Sequence, residues 1–286
     1  MKRYSVHLYI VISIIAGRLA AAAYSAAMPY FGFNVNAAPY SYMGNVLYSA
    51  AACLVPAVLY FCLERDFSDF RKENTAPIKP RELILCIAAA VGAWCTGQFV
   101  NSIAVFFLKK IGIQPLKQIS ELHDTRTLVW GFITVCITAP VFEELLYRGV
   151  ILDKLKTEND VTAAAVSALF FAFAHGSTTV FAMPLIYGFA IACAVRRFNN
   201  IKYGIIMHFL SNLAAWLLTV CNIPKIVSAL INTGITAVCA AAVCYAAVYA
   251  AKHRAALHTA FFKIFAVFFS NPLWIIVLCD FILKNI

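Results

Sequence analysis

Two glutamates and an arginine stand where an apolar helix has no structural need of them. In Ala-Pro-Val-Phe-Glu-Glu-Leu-Leu-Tyr-Arg-Gly, residues 139–149, Glu143, Glu144 and Arg148 close an otherwise hydrocarbon-soluble segment. An ionisable group inside a bilayer costs at least ~2.5–3.5 kcal/mol on insertion scales, so its presence there points to function. Adjacent helical residues project about 100° apart, which denies Glu143 and Glu144 a shared role. Glu144 and Arg148 stand at i and i+4 with the acid first, the favourable orientation for a same-face ion pair. Glu143 keeps no local partner, and its carboxylate is free to face other helices as a general base. Pro140 withdraws a backbone donor beside the acids.

Two later apolar segments each contribute a histidine. Phe171-Ala-Phe-Ala-His175 ends one of them and is followed by Gly176 and Ser177. His208-Phe-Leu-Ser-Asn212 lies within another, its i and i+4 spacing putting imidazole and carboxamide on one helical face. Two chemistries fit. His208 and Asn212 together offer two hydrogen bonds to a developing oxyanion. Alternatively, His175, His208 and Glu143 form a two-histidine, one-carboxylate zinc set with an open water position. Both activate water for attack on a carbonyl. His7, His123, His253 and His258, near loops or span ends, read as structural, and Arg18 and Asp280 read as helix contacts or interface charges.

The elements that must position these groups are membrane helices. With 63% hydrophobic residues, 13% charged and a mean hydropathy of +0.81, the composition excludes an ordinary soluble domain. Apolar runs near 5–28, 44–63, 82–108, 127–150, 161–176, 178–195, 201–221, 226–251 and 261–283 predict an all-α polytopic transmembrane bundle of eight or nine spans, the fifth and sixth short. The chain reads as one integral membrane domain over 1–286, with a catalytic core at 127–221 and a polar cytoplasmic loop at 64–82. A second polar stretch, 109–126, breaks at Pro115. Lys2 and Arg3 before an apolar run resemble a signal peptide, but Arg18 interrupts the run, and the uncleaved reading gives a consistent topology. That topology sets 16 cations on the side of the N-terminus and six on the other, which predicts a cytoplasmic N-terminus, in a bacterial plasma membrane.

The net charge of +10 is then a topology signal and an attraction to anionic membrane lipids. No basic stripe or motif points to nucleic acid. The ten cysteines sit mostly singly in apolar spans with no C-x-x-C pair, as packing residues do.

Glu-Glu-Leu-Leu-Tyr-Arg (143–148), Phe-Ala-Phe-Ala-His (171–175) and His-Phe-Leu-Ser-Asn (208–212) resemble, in order and spacing, the three motifs of the CPBP or Abi family, which includes CAAX prenyl endopeptidases and proteins of bacteriocin self-immunity. The resemblance implies an intramembrane endopeptidase acting on a peptide or membrane-anchored protein. It implies Glu143 as the water-activating base, Glu144 and Arg148 as its supporting pair, His175 as a second catalytic group, and His208 with Asn212 as the oxyanion site. A glutamate mechanism with no required cofactor is favoured over zinc, because the chain lacks His-Glu-x-x-His. A non-catalytic immunity or scaffold protein is the alternative, and a proton-coupled transporter a further one; the inverted repeats and broken helices of a transporter are not evident. One geometric demand follows. If the helix of the first motif stopped at Arg148, Glu143 would lie only about 7–8 Å from its end, far from His175. The two meet if that helix continues through Gly149 toward Lys156.

Overall fold

A computed structural model describes residues 5–113, 124–221, 234 and 254–285. The helices are α1 (Val6–Ala27), α2 (Tyr40–Leu63), α3 (Phe67–Thr75), α4 (Pro80–Lys110), α5 (Thr125–Leu152), α6 (Asp160–Ala174), α7 (Ala182–Phe198), α8 (Ile201–Val220), α9 (Arg254–Phe268) and α10 (Trp274–Leu283). No strand occurs among the described residues. Five of these, α1 with the 3-10 turn after it, α2, α4, α5 and α8, are long and apolar enough to cross a bilayer, while α6, α7, α9 and α10 are shorter. The protein is an integral membrane helix bundle.

The sequence expectation needs two amendments. The loop at 64–82 is not all loop: α3 occupies its middle, started by Asp66, whose carboxylate accepts from the Ser68 N–H at 2.7 Å. The run at 261–283 is two helices, because Pro272 cannot continue α9 and the Asn271 side chain accepts from the Leu273 N–H at the new start. Apart from Gly234, the run at 226–251 lies outside the described residues, as do the middle of the 109–126 stretch, His123 and His253, and the side chain of His258 is not described.

Helices α1, α2, α5, α6, α7 and α8 share a core of Tyr9, Tyr60, Leu146, Phe170, Ile191 and Met207, while large apolar side chains such as Ile84, Leu85, Val91, Phe106 and Phe107 of α4 face outward. Apolar on both faces, such a helix suits a lipid surround. His7 is fully buried and donates through Nε2 to the Phe268 carbonyl at 2.6 Å, tying α1 to α9. At one end of the bundle Lys154 meets Glu64 at 2.6 Å, Tyr9 donates to the same carboxylate, and Tyr60 donates to Asp153. These pairs anchor the end of α5 to α1 and α2.

Helix α5 carries the first motif and is not a regular α-helix. Asp124 starts it, accepting from the Thr127 hydroxyl and from the Arg126 and Thr127 N–H groups, donors that hold its carboxyl below the usual range. Residues Ile133–Thr138 and Leu145–Leu152 are π-helical, with an α-helical turn, Ala139–Glu144, between them. In the first π segment the Ala139 N–H reaches the Thr134 carbonyl, five residues back. The Val135 carbonyl would look to residue 140, which is a proline without a donor. Asn212 of α8 fills the vacancy, its Nδ2 donating to the Val135 carbonyl at 2.8 Å. A wide turn of this kind is a recurrent companion of functional sites.

Candidate active site

Helix α5 runs past Arg148, as the meeting of Glu143 and His175 requires, with Asp153 and Lys154 finishing its last turn. The chain turns at Leu155, slightly short of Lys156. Glu143 therefore stands nine residues before Leu152, about 13 Å along the axis and well inside the bundle.

The angular separation of the two glutamates sends them to different neighbours. Glu143 and His175 line one cavity of about 90 Å³, walled also by Tyr147 of α5, Ser13 of α1, and Tyr48, Ser49 and Cys53 of α2. A water needs only ~10–15 Å³ of such space, so the cavity admits several. One carboxylate oxygen of Glu143, Oε2, is buried and has no hydrogen-bond partner in the protein. The His175 imidazole is fixed from behind: its Nδ1 lies 2.8 Å from the Phe171 carbonyl. A carbonyl only accepts, so Nδ1 carries the proton and Nε2 is the lone-pair nitrogen of the neutral ring.

Glu144 turns the other way and is completely buried. Its Oε1 accepts from Arg148 Nη1 and from His208 Nδ1, each at 2.9 Å. Arg148 further donates from Nη2 to the Gly188 carbonyl at 3.0 Å and lies 4.7 Å over the Phe171 ring. The same ring meets His175 and His208 edge-on, at 4.6 and 5.7 Å between centroids. Phe171 thus touches every imidazole and the guanidinium of the constellation, a role its apolar character hid in the sequence.

The six sequence-derived site residues accordingly fall in three places. Glu143 and His175 share the cavity. Glu144, Arg148 and His208 form a buried charge cluster linking α5 to α7 and α8. Asn212 is bonded to the backbone of α5. His208 and Asn212 each give a donor to another group, not jointly to one point, and His208 is not among the cavity's lining residues. Among the described residues no group of three His, Cys, Asp or Glu side chains stands in metal-binding geometry. Cys53, a free thiol, is in the cavity wall. The contribution of α1 and α2 to that wall had no sequence signal beyond isolated serine and tyrosine in apolar runs.

The charge cluster fits closely enough to make a prediction. A Cβ at Gly204 would lie 2.9 Å from Glu144 Oε2, 2.9 Å from Val195 Cγ2 and 3.1 Å from Ile191 Cγ2. Gly204→Ala is expected to destabilise the fold by about 1–3 kcal/mol, the usual scale of overpacking, read as a lower unfolding midpoint in detergent. An unchanged midpoint would show that α8 shifts freely against α5.

Residues 125–214 match the family model described as Rce1-like, type II CAAX prenyl endopeptidase Rce1-like. No curated protein and no solved structure matches the chain. The matched segment, about a third of the chain, holds α5 through most of α8 and every member of the three motifs, and over it the protein is similar to the type II CAAX prenyl endopeptidases.

Proposed function

We propose that the protein hydrolyses a peptide bond of a membrane-associated peptide or protein, with Glu143 activating water in the cavity and His175 acting beside it. The observation that carries this reading is the shared cavity: an unpartnered buried carboxylate oxygen and a pre-oriented imidazole, from two separate helices, face one water-sized space. Glu143 takes a proton from water as the oxygen attacks the carbonyl carbon. His175 Nε2 takes that proton from Glu143 by way of the cavity water and delivers it to the departing amine nitrogen as the C–N bond breaks, which leaves Glu143 ionised again. Tyr48 and Ser49 of the wall supply hydroxyl donors for the substrate carbonyl in this reading. Glu144, Arg148 and His208 support the site by fixing α5 against α7 and α8. No step in this reading is assigned to a metal.

The test uses the full chain in lipid nanodiscs with membrane-anchored peptides, scored by mass spectrometry. Cleavage by the wild type, lost in both Glu143→Gln and His175→Ala, supports the reading. Undiminished cleavage by either variant overturns it. Absence of cleavage in the wild type, with retained binding of a partner, would favour the scaffold or immunity alternative.

A further inference from the structure

The two intramembrane charges outside the motifs, Arg18 and Asp280, pair with each other. Asp280 of α10 is only 5% exposed and accepts from Arg18 Nη2 and Nε of α1 at 2.5 and 2.8 Å. Its other oxygen, Oδ2, holds Lys284 Nζ at 2.9 Å. This anchors α10 in the bundle and sets the position of the two residues after it.

Those residues grip the backbone on both sides of His175. Lys284 Nζ donates to the Ala174 carbonyl at 3.2 Å, and Asn285 Nδ2 donates to the Gly176 carbonyl at 3.0 Å. Asn285 Oδ1 accepts from the Thr178 N–H at 2.8 Å and from its hydroxyl at 3.1 Å. The last turn of α6 leaves carbonyls without helical donors, and a lysine ammonium there satisfies one while complementing the helix dipole. Gly176 has φ +66°, and a Cβ on it would fall 2.2 Å from Lys284 Cδ, so the lysine stem runs through space that only glycine leaves open. The Arg18–Asp280 pair already ties α10 to α1. Apart from the bonds back to Asp280 and to the Phe281 carbonyl, the side-chain bonds of Lys284 and Asn285 go to residues 174–178.

We infer that Lys284 and Asn285, tethered through Asp280, are positioning residues that fix the His175 imidazole toward Glu143. The Phe171 carbonyl orients the ring, and the clamp fixes the backbone from which the ring projects. This inference rests on the catalytic reading of His175 given above.

The experiment compares full-length Lys284→Met, Asn285→Ala and Lys284→Arg with wild type. In the first two, kcat is expected to fall about 10- to 100-fold, the scale of an ångström-sized misplacement, with KM and the unfolding midpoint unchanged. Lys284→Arg, which keeps the cation, is expected to retain most of the activity. Adding Asn285→Ala to His175→Ala is expected to produce no further loss. An independent readout is the imidazole nitrogen NMR signal of His175, assigned by its disappearance in His175→Ala. The neutral ring of the wild type is expected to show the Nδ1–H tautomer, and that of the two disruptive variants a mixture of tautomers. An unaltered His175 signal in both disruptive variants, or losses that add to His175→Ala, would overturn the inference. If His175→Ala cleaves like wild type while the NMR signal still moves, the clamp stands and the catalytic assignment of His175 fails.

Discussion

A Glu143→Gln protein is expected to fold like the wild type and to cleave peptide about 10²- to 10⁴-fold more slowly, the range that a positioned general base contributes. The amide keeps the size of the carboxyl and its place in the cavity wall, so shape is unchanged. What is lost is the capacity to take a proton from water. Each glutamate has one oxygen without a protein partner, but only Glu143 lines the cavity beside His175, whereas Glu144 lies outside it with its other oxygen accepting from Arg148 and His208, so Glu143 is the natural carrier of this effect. The measurement is kcat on a membrane-anchored peptide, beside the unfolding midpoint. Wild-type kcat with an unshifted midpoint would remove Glu143 from the mechanism.

Arg148→Met is expected to have the larger effect on stability. Removing one partner of a buried ion pair leaves an uncompensated charge and destabilises by about 3–5 kcal/mol. Both side chains of the Arg148–Glu144 pair are fully buried, which places it in that regime and not among surface pairs. The guanidinium also donates to the Gly188 carbonyl and covers the Phe171 ring, so methionine restores only part of what is lost. Arg148→Lys keeps the charge but not the fork that reaches two acceptors at once, and an intermediate loss is expected. The double variant Glu144→Gln with Arg148→Met, which removes both charges, is expected to be more stable than Arg148→Met alone. Denaturation in detergent followed by helical content measures all three. Equal midpoints for Arg148→Met and wild type would mean that water reaches Glu144.

Much of this site is legible in the sequence because helix geometry alone dictates it. The i, i+4 relation of Glu144 and Arg148 becomes a 2.9 Å contact, and the adjacency of Glu143 and Glu144 becomes a division between a cavity and a charge cluster. The helical class and the recurrence of apolar runs follow from hydropathy. What pattern does not carry is which helices become neighbours. His208 reaches Glu144 because α8 packs on the second face of α5, and Ser13, Tyr48 and Cys53 reach the cavity because α1 and α2 close the first face. Periodicity cannot rank such pairings when nearly every face is apolar. The division of 261–283 was locally visible, since Asn271-Pro272 is a stop-and-cap pair, but hydropathy averaged over it. The Lys284 and Asn285 clamp had no signal, because a cation near a span end ordinarily reads as an interface residue.

The Asn212 bond to α5 has a consequence in the language of inheritance. The Val135 carbonyl needs an outside donor because the helix bends its bonding pattern around Pro140, so the proline creates the demand that the asparagine meets. Two positions far apart in the gene therefore form one allele-like unit, in which a change at either alters the selective value of the other. Asn212→Ala is expected to lower stability by about 1 kcal/mol, the scale of one hydrogen bond at a part-buried carbonyl, and to matter much less once Pro140→Ala has returned an N–H to the helix. Lineages that lose the proline would be released from keeping the asparagine for this bond, and those that keep the proline would not.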